Sequence, residues 1–187
     1  MARPTILSLC DYSGTWSAPY CEAGYKVIRV DLKRGQDVRL LEFQNEPVHG
    51  ILCAPPCTEF AVSGARWWAE KGEDALLDAL SISDACLRAV AIYSPKWWVL
   101  ENPVGRLKKF LGPHAFSFDP CDFADGLPDE AYTKKTLLWG KFNTPVKCPV
   151  PAVLGSKMHL MAPSPDRAAL RSVTPKGFAR AFFEVNP

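Results

Sequence analysis

Two short apolar runs, Val48-His49-Gly50-Ile51-Leu52-Cys53 and Trp97-Trp98-Val99-Leu100, flank a helical pattern and both lead directly into reactive side chains. The first continues as Ala54-Pro55-Pro56-Cys57, a thiol after a rigid Pro-Pro step, and the second ends in Glu101-Asn102-Pro103. Short apolar runs bounded by turn signals read as strands buried on both faces, which requires helices above and below them. Between the two, Leu76, Leu77, Leu80, Ala85, Leu87, Val90 and Ala91 recur at helical spacing from Asp74 to Ile92, until Ser94-Pro95 stops the pattern. Strand, helix and strand in that order predict parallel strands joined by a right-handed crossover. Carboxyl ends of parallel strands share one crevice, so the thiol and the carboxyl are expected at a single site.

The same logic extends to both sides. Thr5 to Leu9 and Tyr25 to Val30 read as strands, with a short helix from about Ser17 to Ala23 that ends at Gly24. The fold class expected is α/β: a Rossmann-like, mostly parallel sheet with helices on both faces, in one domain over residues 1–187. Beyond Glu101 a helical turn is expected from Arg106 to Phe110, and Ala115 to Phe118 and Thr136 to Trp139 read as two late strands that extend the sheet edge. Prolines at 145, 149, 151, 163 and 165 predict that residues 140–170 form a surface loop without regular interior structure. A last helix is expected with Thr174 as N-cap and Pro175 at its first position.

Composition narrows the class. Hydrophobic residues make up 48% and charged residues 22%, and the net charge is +2, which argues against disorder and against a strongly basic nucleic-acid coat. Seven cysteines at irregular spacing do not form a secreted disulfide framework, the N-terminus reads as a strand rather than a signal peptide, and a cytoplasmic protein with reduced thiols follows. Cys53 and Cys57 lack a second ligand pair, so no metal is expected. No apolar run is long enough to span a bilayer, so no membrane partner is expected.

Chemistry-bearing residues collect at the expected strand ends. Asp11-Tyr12-Ser13-Gly14-Thr15-Trp16 forms a small-residue turn after the first strand, where a cofactor can approach backbone N–H groups. Asp31 ends the second strand, where a carboxylate accepts hydrogen bonds from a ribose, and Asp37 offers a second acceptor. Each also suits an ordinary turn cap. Cys57 lies beyond its strand on a Pro-Pro turn, and a nearby cation would raise its thiolate fraction. Glu101 adjoins Trp97, Trp98 and Leu100, surroundings that raise a carboxyl pKa and suit a proton donor. Trp67-Trp68 suits base stacking or packing against the Asp74 helix.

Taken in order, Ser13-Gly14, Asp31, Asp37, Pro56-Cys57-Thr58-Glu59-Phe60-Ala61-Val62-Ser63-Gly64 and Glu101-Asn102 resemble the DNA cytosine-5 methyltransferases over roughly residues 5–140. The family's catalytic loop reads Pro-Cys-Gln, then Phe-Ser, then Gly, and its later motif Glu-Asn-Val. Here Thr58, Ala61 and Pro103 replace Gln, Ser and Val. Tyr132-Thr133-Lys134-Lys135-Thr136 stands where the family has a Gln-x-Arg-x-Arg pattern, and Arg171-Ser172-Val173-Thr174-Pro175 with Ala179-Arg180 resembles its ninth motif. The large target-recognition domain is replaced by the 140–170 loop, and the family's final cofactor motif has no counterpart.

The resemblance implies methyl transfer from S-adenosylmethionine to C5 of cytosine, with Cys57 as nucleophile and Glu101 as acid. It implies a cofactor set of Asp11, Tyr12, Ser13, Gly14, Thr15, Trp16, Asp31, Leu32, Asp37, Val38 and Pro56, and a substrate set of Pro55, Thr58, Ser63, Asn102, Lys134 and Lys135. The partner implied is DNA carrying a flipped or single-stranded cytosine, since C5 and C6 are stacked inside a duplex. The small recognition loop points to relaxed specificity, or to a partner subunit or homo-oligomer that supplies the missing contacts. Two alternatives stay open: modification of cytosine in free nucleotides or RNA, and a catalytically idle binding module.

Overall fold

Leu9, Val30, Cys53 and Leu100 form one row across the sheet of the computed structural model, which describes residues 3–43 and 45–187. They close strands β1 (Thr5–Leu9), β2 (Lys26–Val30) and β3 (Val48–Cys53), and in β4 (Trp97–Pro103) Leu100 sits just before Glu101. These four strands are parallel, in the order β2-β1-β3-β4. Because the row is level, Cys10, Asp31, Ala54 and Glu101 follow at the same edge. The order reverses direction between β1 and β3, and open α/β sheets bind ligands beside such a switch.

Two late strands complete the six-stranded sheet, β5 (Phe116–Phe118) and β6 (Thr136–Lys141). They do extend the edge beyond β4, but β6 runs antiparallel and lies between β4 and β5.

Both faces are covered, because alternate strand residues point to opposite sides. Ile6, Leu52, Val99 and Leu138 meet Tyr20 of α1 (Ala18–Glu22) and Phe178 and Phe182 of α6 (Lys176–Val185). Leu7, Leu9, Ile51, Cys53, Leu100 and Leu137 meet Ala79, Ala85, Cys86 and Ala89 of α2 (Trp68–Tyr93). The first face is strongly aromatic: Phe178 stacks on Phe118 with ring centroids 3.9 Å apart, and Trp16 lies against Phe178 and Phe182.

Helix α2 is interrupted at Gly72, whose φ of 74° and ψ of −171° only glycine adopts readily. The continuous part therefore begins where the sequence pattern begins. It ends at Ser94, where an αL residue donates its N–H to the Val90 carbonyl at 3.0 Å before Pro95. The short α3 spans Lys108–Leu111.

Two boundary expectations are corrected. Helix α6 starts one residue late, with Pro175 itself in the N-cap position at ψ 135°, and Thr174 does not cap it. Its first N–H groups are taken from a distance: Lys176 N and Gly177 N donate to the Glu130 carboxylate at 2.6 and 2.9 Å. Residues 140–170 are not wholly irregular either, since α4 (Lys157–Leu160) lies inside them and α5 (Arg167–Ser172) begins there. The stretch before α4 is tied to the β5–β6 connection: Cys148 N and Val150 N donate to the Asp122 and Cys121 carbonyls, and Leu154 N to that of Ala131. Among the described residues, no helix is long and apolar enough to cross a membrane, and no group of three or more His, Cys, Asp or Glu side chains is placed to hold a metal ion.

Candidate active site

After Cys53 the chain leaves the sheet as Ala54-Pro55-Pro56 and turns at Cys57, whose carbonyl accepts from Phe60 N at 2.9 Å and Ala61 N at 2.8 Å. The turn is docked onto the end of β4. Asn102, with no exposed surface, donates Nδ2 to the Pro55 carbonyl at 3.0 Å. Arg106 donates its Nε to the Glu59 carbonyl at 2.6 Å and its backbone N–H to that of Phe60 at 2.8 Å. Gly105 passes so close to the Phe60 carbonyl that a Cβ would collide with it. The thiol is therefore carried by a loop fixed from three points.

The Cys57 thiol lies within electrostatic reach of the Glu101 carboxyl. Burial, then the Glu101 charge, pushes the Cys57 thiol up, while Lys134 and Arg171 act in the opposite direction. Burial also raises the Glu101 carboxyl, with Lys134 opposing. A carboxyl that keeps its proton can donate it, and once neutral it no longer opposes a thiolate beside it.

Cys57, Thr58 and Ser63 line a cleft of about 870 Å³, together with Lys134 and Lys135 from the segment just before β6. Its far wall is the segment around α4 and α5, which brings in Arg167 and Arg171. Arg171 Nη2 donates to Ser63 Oγ at 3.3 Å, and Lys134 Nζ donates to the Arg171 carbonyl at 2.8 Å, closing one side. Lys135 is paired with Asp119 at 3.2 Å. Trp67 lines the cleft, 47% exposed, whereas Trp68 lies under the Arg106 guanidinium.

Several expected contacts have other duties. Asn102 and Pro55 are both buried, so they hold the loop and do not face the cleft. Asp11 is buried and accepts from Gly14 N at 2.9 Å and from the hydroxyls of Ser8, Ser17 and Ser13 at 2.9, 2.8 and 3.4 Å, so it staples the turn. Trp16 and Val38 belong to the core and have no face for a cofactor. Asp37 caps a helical turn, and both its oxygens are held by the Arg39 side chain, which keeps its pKa low. Asp31 caps the turn Leu32–Arg34 through one oxygen, on Lys33 N at 2.8 Å, and its other oxygen has no donor among the described residues.

Tyr12 and Ser13 face outward, Thr15 is half-buried and Gly14 is buried. Tyr12 is half exposed with the Lys33 ammonium over its ring, and the Ser13 hydroxyl accepts from Thr15 N at 3.2 Å. Gly14, at φ 70°, lies against the Arg29 guanidinium. Leu32 and Pro56 are exposed.

Arg66, Arg167 and the approach of Arg171 to Cys57 were not expected from the sequence as binding features. Only Arg171 carried a signal, as the first residue of a motif that implied a different task.

No protein-family model matches the chain, and no curated protein matches it. Among solved structures it is similar to a candidate DNA modification methyltransferase encoded within an E. coli prophage, with a TM-score of 0.54 and 16% identity. The likeness covers 79% of this chain and 53% of that one, so the chain spans about half the length of that protein. What the two share is the α/β fold of a DNA modification methyltransferase structure.

Proposed function

We propose that this chain transfers a methyl group from S-adenosylmethionine to C5 of cytosine in DNA, through a covalent adduct on Cys57. The observation that carries the reading is that Cys57 lines, with Lys134 and Arg171, a cleft large enough for a nucleotide base, within electrostatic reach of Glu101.

The residues at the first two strand ends fit the cofactor in part. Tyr12, Ser13 and the second oxygen of Asp31 are open to it, while Asp11 holds the turn and Trp16 and Val38 lie in the core. When bound, S-adenosylmethionine supplies an electrophilic methyl group on a sulfonium. The Cys57 thiolate adds to C6 of cytosine, forming a C–S bond and moving the ring's electron pair toward N3. Glu101 meets that pair with its proton at N3, which makes C5 a nucleophile. After C5 has gained the methyl group and lost its hydrogen as a proton to solvent, the electron pair left at C5 re-forms the C5–C6 double bond. That step expels the thiolate, and N3 returns its proton to the Glu101 carboxylate, which restores the neutral ring. Lys134 and Arg171 favour the thiolate form of Cys57 and counter part of the cost that burial and Glu101 impose on it.

Two assays test the reading. Labelled S-adenosylmethionine offered with duplex DNA, single-stranded DNA, RNA or cytidine nucleotides is expected to leave label on DNA. An oligonucleotide carrying 5-fluorocytosine is expected to trap a covalent adduct, and an undiminished adduct in Cys57→Ser would refute the assignment. Absence of any acceptor would favour a binding module.

A further inference from the structure

Resting on the reading just given, we infer that the cleft takes its cytosine from a single DNA strand, with Trp67 as the platform on which a base next to the target stacks. Trp67 is a large aromatic ring with 47% of its surface exposed in the cleft, and the Arg66 guanidinium lies over one face at 5.0 Å. Tryptophans on soluble surfaces are normally driven inward; its neighbour Trp68 is covered by Arg106.

The charges around Trp67 suit a polyphosphate backbone. Among the described residues, Arg66, Lys134, Arg167 and Arg171 line the cleft without an ion-pair partner, whereas Lys71 and Lys135 are neutralised by Glu59 and Asp119. The Arg167 Nε is buried in the wall and meets no acceptor. Cations around an exposed aromatic ring are the pattern by which proteins hold unpaired strands, where each base offers a face for stacking.

The same walls are poorly made for a duplex. Reading a major groove takes a helix or ribbon that enters it, and the elements facing this cleft are the turn Val62–Trp67 and the helices α4 and α5, of four and six residues. A duplex would also have to extrude its cytosine, at a cost of a few kcal/mol, on a surface with little area to offset it. A single strand presents C5 and C6 without that cost.

Strand binding is measured apart from methyl transfer. A fluorescein-labelled strand with one central cytosine, alone or annealed to its complement, is titrated with the full chain without cofactor, and anisotropy gives both affinities. The single strand is expected to bind at least about tenfold more tightly than the duplex, with an affinity that falls as salt rises. Trp67→Ala is expected to weaken single-strand binding by about tenfold, Trp67→Phe by clearly less, and neither to change duplex binding beyond about twofold. Equal or tighter binding of the duplex, no binding of either, or indifference to Trp67→Ala overturns the inference. Trapping with 5-fluorocytosine on both substrates separates the two claims. Equal trapping on duplex and strand defeats the strand preference and leaves the chemistry standing, while tight strand binding without an adduct does the reverse.

Discussion

Asn102 reaches from the end of β4 to the loop that carries Cys57, donating its amide to the Pro55 carbonyl at 3.0 Å in a position with no exposed surface. The residue next to the candidate acid thus anchors the turn that presents the candidate nucleophile. Asn102→Ala is expected to lower stability by about 1–3 kcal/mol, since it leaves a buried carbonyl without its donor. It should also increase the alkylation rate of Cys57 relative to the other cysteines. Urea unfolding and peptide-level mass spectrometry after iodoacetamide check this, and an unchanged midpoint would remove Asn102 as an anchor.

The electrostatics of the pair give a pH dependence with a definite sign. Burial and Glu101 raise the Cys57 pKa, so the neutral thiol persists to higher pH and alkylation should accelerate only above the ordinary thiol midpoint of about 8.5. Glu101→Gln removes a charge that opposes the thiolate and is expected to move the midpoint down. Lys134→Ala and Arg171→Ala remove charges that favour it and are expected to move it up. A profile of alkylation rate against pH that ignores Glu101→Gln would separate the two side chains.

Gly105 lies against the Phe60 carbonyl, and Ala61 pairs with Gly105 in an isolated bridge. Gly105→Ala forces the Cys57 loop away from β4, with an expected cost of about 1–3 kcal/mol as for other overpacked sites. Because the loop itself shifts, trapping by 5-fluorocytosine should fall more than stability alone explains. Thermal unfolding and adduct yield, measured on the same preparation, test the difference.

Glu130 holds the start of α6 through Lys176 N and Gly177 N. Glu130→Ala is expected to cost about 0.5–2 kcal/mol, the range for a lost helix N-cap, and Glu130→Gln less. Circular dichroism during urea unfolding provides the readout. Equal effects of both substitutions would point to packing rather than to capping.

How far the sequence could be read depended on the range of the interaction. The four parallel strands, the body of α2 and its stop at Ser94-Pro95 follow from period and turn chemistry within a dozen residues. So does the arrival of Cys57 and Glu101 at strand ends. The carboxylates after the first two strands depend on their neighbours' side chains. Asp11 and Asp37 have the right type and position for a ligand, yet the serine hydroxyls and Arg39 beside them consume their oxygens. Which acceptor stays free is decided by rotamers and neighbours, and a residue type does not specify those.

By itself the sequence determined the α/β order of elements and the placement of a thiol and a carboxyl at the ends of two buried strands, because hydrophobic period and proline act locally. Only the tertiary structure decided that β6 enters antiparallel between β4 and β5, that Glu130 caps α6, and that Arg167, Arg171 and Trp67 face Cys57 across one cleft. Those outcomes come from packing two faces of a sheet at once and from pairing groups far apart in the chain, and no local pattern encodes which distant partner will be nearest.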